Sequence, residues 1–98
     1  MPDHLLELQR ATRRAAVDGG GAVDPSIRRQ IAAGQPPPEL ASLVAKIRDR
    51  AYTVTDKDLD VLRSRYSEDQ LFEVIVAAAI GAAEHRLMSA LAVLEGEA

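Results

Sequence analysis

From residue 38 onward, apolar positions recur at helical spacing. Leu40, Leu43, Val44, Ile47 and Ala51 stand at i, i+3, i+4, i+7 and i+11, while Lys46, Arg48, Asp49 and Arg50 fall off that stripe. The pattern predicts an amphipathic helix starting near Pro38. The stretch YTVTDKD interrupts it: Thr53 and Val54 are β-branched, and Thr55 with Asp58 three residues on is an N-cap signal. A short helix is predicted over 56–64, presenting Leu59 and Leu62. SEDQ, residues 67–70, reads as a capping box that opens a last helix from Glu68 to about Leu94. Within LFEVIVAAAIGAA the apolar residues lie on every face, which predicts a segment surrounded by protein. Ala77, Ala78, Ala79, Gly81, Ala82 and Ala83 are small enough for another helix backbone to come close. Gly81 costs about 1 kcal/mol relative to Ala inside a helix, which points to tight packing or a pocket beside it. Beyond His85 the pattern is amphipathic again, through Leu87, Met88, Leu91 and Leu94. Neither a strand pattern nor an internal repeat is present.

The first third is weaker in pattern. Asp3 is an N-cap for a helix over 4–17 whose apolar face is Leu5, Leu8, Ala11, Ala15 and Ala16. DGGGAVDP stops it, and Asp24 then caps a short helix with Pro25 at its first position and Ile27 and Ile31 as its large apolar residues. GQPPP ends that helix. Residues 1–35 are therefore expected to form a loosely attached helical arm that docks on a neighbouring subunit. Residues 36–98 are expected to form a helical core. The fold class is all-α, with helices packed around a long C-terminal helix.

Composition sharpens this in one respect. A chain of 98 residues makes one domain, and a compact monomer of that size buries only about 60–65% of its unfolded surface. Yet 47% of the residues are hydrophobic and only 3% aromatic, so the apolar mass is small aliphatics that one short chain hardly covers. An obligate homo-oligomer is the expectation. A net charge of −3 argues against a nucleic-acid partner, and Arg13-Arg14 and Arg28-Arg29 read as solvated helix faces. A helix-turn-helix reading of 56–94 would place Val74 to Ala83 against DNA, with nothing there to read a base. The absence of cysteine removes disulfides, thiolate ligands and thiol redox chemistry. The N-terminus lacks a signal-peptide pattern, and the uncharged run at 74–83 is short of the roughly 20 residues that cross a bilayer. The expected compartment is the cytoplasm, with no membrane partner. DGGGAVDP has no preceding strand and no Lys-Ser/Thr, so it is not a phosphate loop. His4 and His85, far apart in the chain, have no metal-ligand spacing. No cofactor and no metal are expected.

Tyr52 to Leu91, YTVTDKDLDVLRSRYSEDQLFEVIVAAAIGAAEHRLMSAL, resembles the carboxymuconolactone decarboxylase/AhpD-like family. The resemblance rests on the T-D-x-D-L-x-x-L segment, the Y-S-E-D-Q-L-F-E helix start, the Ala-rich run with its central Gly, and R-L-x-x-A-L. It implies an AhpD-like all-α fold and homo-oligomers, often trimers or hexamers, built through such helices. Peroxidase-type members carry a Cys-x-x-Cys pair followed by a His, with a Glu upstream. An ungapped overlay places those positions near Arg50, Thr53 and Lys57, so the family's dithiol route is closed to this chain unless another protein supplies the thiols. Decarboxylase-type members, the resemblance implies, use polar groups in a pocket near the subunit contact.

Two functional readings follow. In the first, the chain is a homo-oligomeric structural or interaction module without redox cysteines. In the second, it is a cysteine-independent acid–base enzyme, of decarboxylase or isomerase type, acting on a small carboxylate. Glu84 and His85 are its candidate catalytic residues, because a carboxylate and an imidazole emerge together from an apolar helix. Neighbours on a helix point about 100° apart, so one would do chemistry while the other pairs with Arg86 or meets solvent. The competing view makes both the polar edge of a subunit contact. Glu73 lies three turns before Glu84, about 16 Å away, and is expected either to pair with Arg63 or Arg65 or to meet Glu84, His85 or Arg86 of another subunit. Tyr52 and Tyr66 read as packing residues with surface hydroxyls.

Overall fold

The Ser67 hydroxyl accepts from the Gln70 N–H (3.1 Å) and the Gln70 side chain accepts from the Ser67 N–H (2.8 Å), so the reciprocal bonds of the expected capping box are made. The structure, a computed structural model, describes residues 7, 8, 10, 11, 13, 14 and 21–96. Among them the order is α1 (Pro25–Ala32), a 3₁₀ turn (Pro38–Leu40), α2 (Ala41–Arg50), a second 3₁₀ turn (Ala51–Thr53), α3 (Asp56–Asp60) and α4 (Glu68–Leu94). No strand occurs among the described residues, and the all-α class stands. Of the helix expected over 4–17, Glu7, Leu8, Arg10, Ala11 and Arg13 are described and helical. Asp3 and His4 lie outside the described residues.

Local chemistry sets each boundary. Asp24 caps α1 by accepting from the Ser26 N–H at 2.8 Å, with Pro25 at the first position. Gly34, at φ +80°, closes α1: its N–H reaches the Ile31 carbonyl (3.0 Å), and the Gln35 N–H reaches that of Gln30 (2.8 Å). Asp58 accepts from the Thr55 N–H at 2.9 Å and so fixes the start of α3. That helix is shorter than the expected 56–64. After Asp60 the chain tightens, with the Leu62 N–H on the Leu59 carbonyl and the Arg63 N–H shared between Leu59 and Asp60.

Leu40, Leu43, Val44 and Ile47 are buried, as their stripe predicts. Ala51 is exposed, because α2 ends at Arg50. These side chains pack on Leu71, Val74, Ala77 and Ala78 of α4, with Leu62 and Val23 completing the core. α1 packs on the same helix: Ile31 is wholly buried and Ala32 nearly so. Val23 and Ile31, from the stretch before residue 36, thus join the core cluster. The reason is that Ile31 and Ala32 share a face with Arg28, and that face fills the side of α4 left free by α2.

α4 is not surrounded along its length. Leu71, Val74, Ala77, Ala78, Gly81, Ala82 and Leu91 are buried, whereas Phe72 is 68% exposed and Leu94 74%. Ala79, Ala83 and Ala90 on the same outward side are also exposed. By length and composition alone α4 could cross a membrane, with mean hydropathy 1.4 over its most apolar window and 33% of that window buried inside the protein. That window is longer than the uncharged run at 74–83 because apolar sequence resumes beyond Glu84 and Arg86.

Candidate functional site

Gly81 lies directly against the backbone of Ala32 at the end of α1, and a Cβ there would collide with the Ala32 carbonyl group. This is the close approach that a glycine in mid-helix suggested. Past that contact α1 ends while α4 runs on, which opens a depression of ≈ 360 Å³ lined by Ala32, Ala33, Arg48, Gly81, Glu84, His85, Met88 and Arg13. Both predicted site residues are therefore on its wall.

They have different surroundings. The Glu84 carboxylate is partly buried and ion-paired with Arg13, contributed by the first third of the chain. His85 is exposed at the rim. Arg86 points elsewhere, its guanidinium donating to the Arg48 carbonyl at 2.7 Å. Arg48 comes from α2, and its guanidinium lies over Gly34, where a side chain would displace it. The depression thus has cationic groups on two sides, an apolar floor and a carboxylate already engaged by Arg13. It is open to solvent, so it lacks the water exclusion that strengthens acid–base groups.

Glu73 is not in this place. Its carboxylate accepts from the Ala22 N–H (2.7 Å) and the Val23 N–H (3.0 Å), and Arg28 stands 3.7 Å away. The Val23 N–H is the largest cause holding Glu73 below its ordinary pKa, with the Ala22 N–H and Arg28 acting in the same direction and burial opposing them. The expected partners Arg63 and Arg65 are not used: Arg63 binds Asp60 and Glu68 instead. Arg28 corrects the reading of Arg28-Arg29 as a solvated pair. It is 2% exposed, and its Nε donates to the Val23 carbonyl at 3.1 Å. Arg29 is exposed. Arg13, half-buried against Glu84, corrects the same reading at Arg13-Arg14.

Tyr66 packs against the core, and its hydroxyl donates to Glu39 at 2.7 Å. Burial, and then that bond, raise the Tyr66 pKa, while the same bond lowers that of Glu39. Lys46 on α2 reaches Asp58 on α3 at 2.8 Å and is the largest cause of the lowered Asp58 pKa. These pairs join elements and lie away from the depression. Among the described residues no group of three or more His, Asp or Glu converges as a metal site. No family model, no curated protein and no solved structure matches the chain.

Proposed function

We propose that this chain is a cytoplasmic, homo-oligomeric structural or interaction module of the carboxymuconolactone decarboxylase/AhpD-like type, without dithiol chemistry. The observation that carries the reading is the outward face of α4, mostly apolar, with Phe72, Ala79, Ala83, Ala90 and Leu94 exposed, Val76 and Leu87 partly buried, and Arg86 at its edge. A largely apolar face of that length marks a contact surface on a soluble protein. The polar groups next to it support the same view, since Glu84 is engaged by Arg13 and Arg86 by a backbone carbonyl. Size-exclusion chromatography with light scattering over a hundredfold dilution tests it. A mass above that of one chain is expected, and a folded monomer at every concentration overturns the reading.

The depression beside Gly81 favours a second reading, an acid–base enzyme on a small carboxylate. Arg48 would hold the carboxylate, and His85 would be the group free to move a proton. Titration of ¹⁵N-labelled protein with mono- and dicarboxylates separates the two. Saturable shifts confined to Arg48, Gly81 and His85 favour the enzyme, and their absence favours the module.

A further inference from the structure

We infer that two copies of the chain pair through the outward faces of α4, antiparallel and crossing at Ala83; this rests on the homo-oligomer reading. The argument begins with spacing. Phe72, Ala83 and Leu94 are eleven residues apart, three turns, so each is rotated by only about 20° from the last and the three form a nearly straight line. The residues between them on that side are placed evenly about Ala83. Ala79 and Leu87 lie about 6 Å to either side along the axis, Val76 and Ala90 about 10 Å, and Phe72 and Leu94 about 16 Å. None of the seven is charged, and none is buried in the chain.

An antiparallel partner superimposes this pattern on its own reverse. Ala83 then meets Ala83 of the second copy at the closest approach, Ala79 meets Leu87, Val76 meets Ala90, and Phe72 meets Leu94. Small residues face larger ones in the two pairs on each side of the crossing, and the large Phe72 and Leu94 meet at its ends. A parallel pair in register would instead set Leu87 on Leu87 and Ala79 on Ala79, alternately crowding and separating the helices. Antiparallel dipoles favour the same choice. The contact is isologous, as a two-fold pair requires.

Area decides how much of the contact this is. The strip is about 33 Å long and about 10 Å wide, on the order of 330 Å² in projection, whereas a stable dimer takes roughly 800 Å² from each partner. The half-exposed Ile75 and Ile80 on its flanks must therefore be covered too. A bilayer is the competing occupant of so apolar a helix. Against it, spanning would strip α1 and α2 from the inner face, where Ile31, Leu40 and Val74 are fully buried.

The lack of cysteine makes the test clean, because each introduced cysteine is the only one. At concentrations where the chain is oligomeric, oxidised Ala83→Cys should form a disulfide-linked dimer. Ala79→Cys alone and Leu87→Cys alone should not, since a like pair would lie about 12 Å apart along the axis. Their mixture should cross-link. Phe72→Cys mixed with Leu94→Cys repeats the test away from the crossing, should Leu87→Cys fold poorly. Self-linking of Ala79→Cys, or an oligomer with no Ala83→Cys link, overturns the pairing and leaves the homo-oligomer reading standing. A monomer by light scattering overturns both. So does a chain that is monomeric in buffer and floats with phosphatidylcholine/phosphatidylglycerol vesicles.

Discussion

Replacing Gly81 with Ala sets two effects of opposite sign against each other. Alanine is favoured over glycine in a helix by about 1 kcal/mol, so α4 by itself would gain. The new Cβ, however, would sit 2.7 Å from the Ala32 carbonyl carbon and 2.8 Å from its Cα. Carbon atoms prefer about 3.5–4.0 Å, so α1 must retreat by about 1 Å. Its neighbours are backbone atoms and a helix end, with no flexible side-chain tip to yield. α1 is also pinned by Ile31, wholly buried, and by Arg28, 2% exposed. Overpacking against such a wall costs about 1–3 kcal/mol, and the upper half of that range applies here. The loss has a ceiling, because α1 can detach instead, at about 3–4 kcal/mol for uncovering Ile31, Ala32 and Val23. After subtracting the helix gain, Gly81→Ala should destabilise by about 1–2 kcal/mol. Urea unfolding followed by circular dichroism reads this as a midpoint lowered by about 1–2 M, given an m-value near 1 kcal/mol/M for a small chain. Ala45→Gly, on the exposed side of α2, calibrates the propensity scale in the same protein. A Gly81→Ala midpoint that rises by about 1 M means that propensity alone is at work, and that α1 is not fixed against α4.

Glu73→Gln removes the acceptor charge from the Ala22 and Val23 N–H groups and the carboxylate charge beside Arg28, so thermal unfolding at pH 7 should show a loss of about 1–2 kcal/mol. Because Glu73 is held below its ordinary value of 4.5, its contribution is fully present above about pH 4.5 and fades as pH falls through its lowered value. The gap in melting temperature between wild type and variant should therefore narrow as pH falls below 4.5, and a gap that stays constant on acidification would contradict the assignment. Ser67→Ala removes the cap of α4 and should lower stability by about 1 kcal/mol in urea titration, with Ser67→Gly costing less. Ala83→Glu places a charge at an exposed position, so helical circular dichroism should be unchanged while light scattering falls to the monomer mass; like charges facing across a two-fold cost several kcal/mol.

The helix boundaries were the most legible part of the chain, because short-range chemistry sets them. Asp24 with Pro25, Thr55 with Asp58, and Ser67 with Gln70 each satisfy backbone groups within three residues, so the signal lies inside a window that sequence alone displays. Contacts between distant residues were not legible. Glu73 finds its partners about fifty positions away, at Ala22 and Val23, and Glu84 finds Arg13 seventy-one positions away. Nothing in helical periodicity carries that information. Arg28 is an intermediate case. Its charge suggested solvent, yet Ile31 and Ala32 stand at i+3 and i+4 from it, and that spacing alone put it on the buried face. The depression beside Gly81 was legible as a location, through the lone glycine and the charges after it, but its depth depends on where α1 stops.

Lengths account for the open face of α4. At 1.5 Å per residue, α1 with 8 residues and α2 with 10 span about 12 and 15 Å, while α4 with 27 spans about 40 Å. Two short helices laid along one side can cover the middle of such a helix but not its circumference or its last turns. Met88, Val93 and Leu94 stay exposed beyond them, and Phe72 stays exposed behind them. Better packing within these elements would not change this, because the deficit is one of helix length. The small residues then divide by face. On the inner side, Ala78, Gly81 and Ala82 let the backbone of α1 approach, and that space is taken. On the outer side, Ala79, Ala83 and Ala90 offer the same close approach with nothing from α1, α2 or α3 against them. A partner that fits must bring a straight apolar helix of matching length, and the chain's own α4 is such a helix.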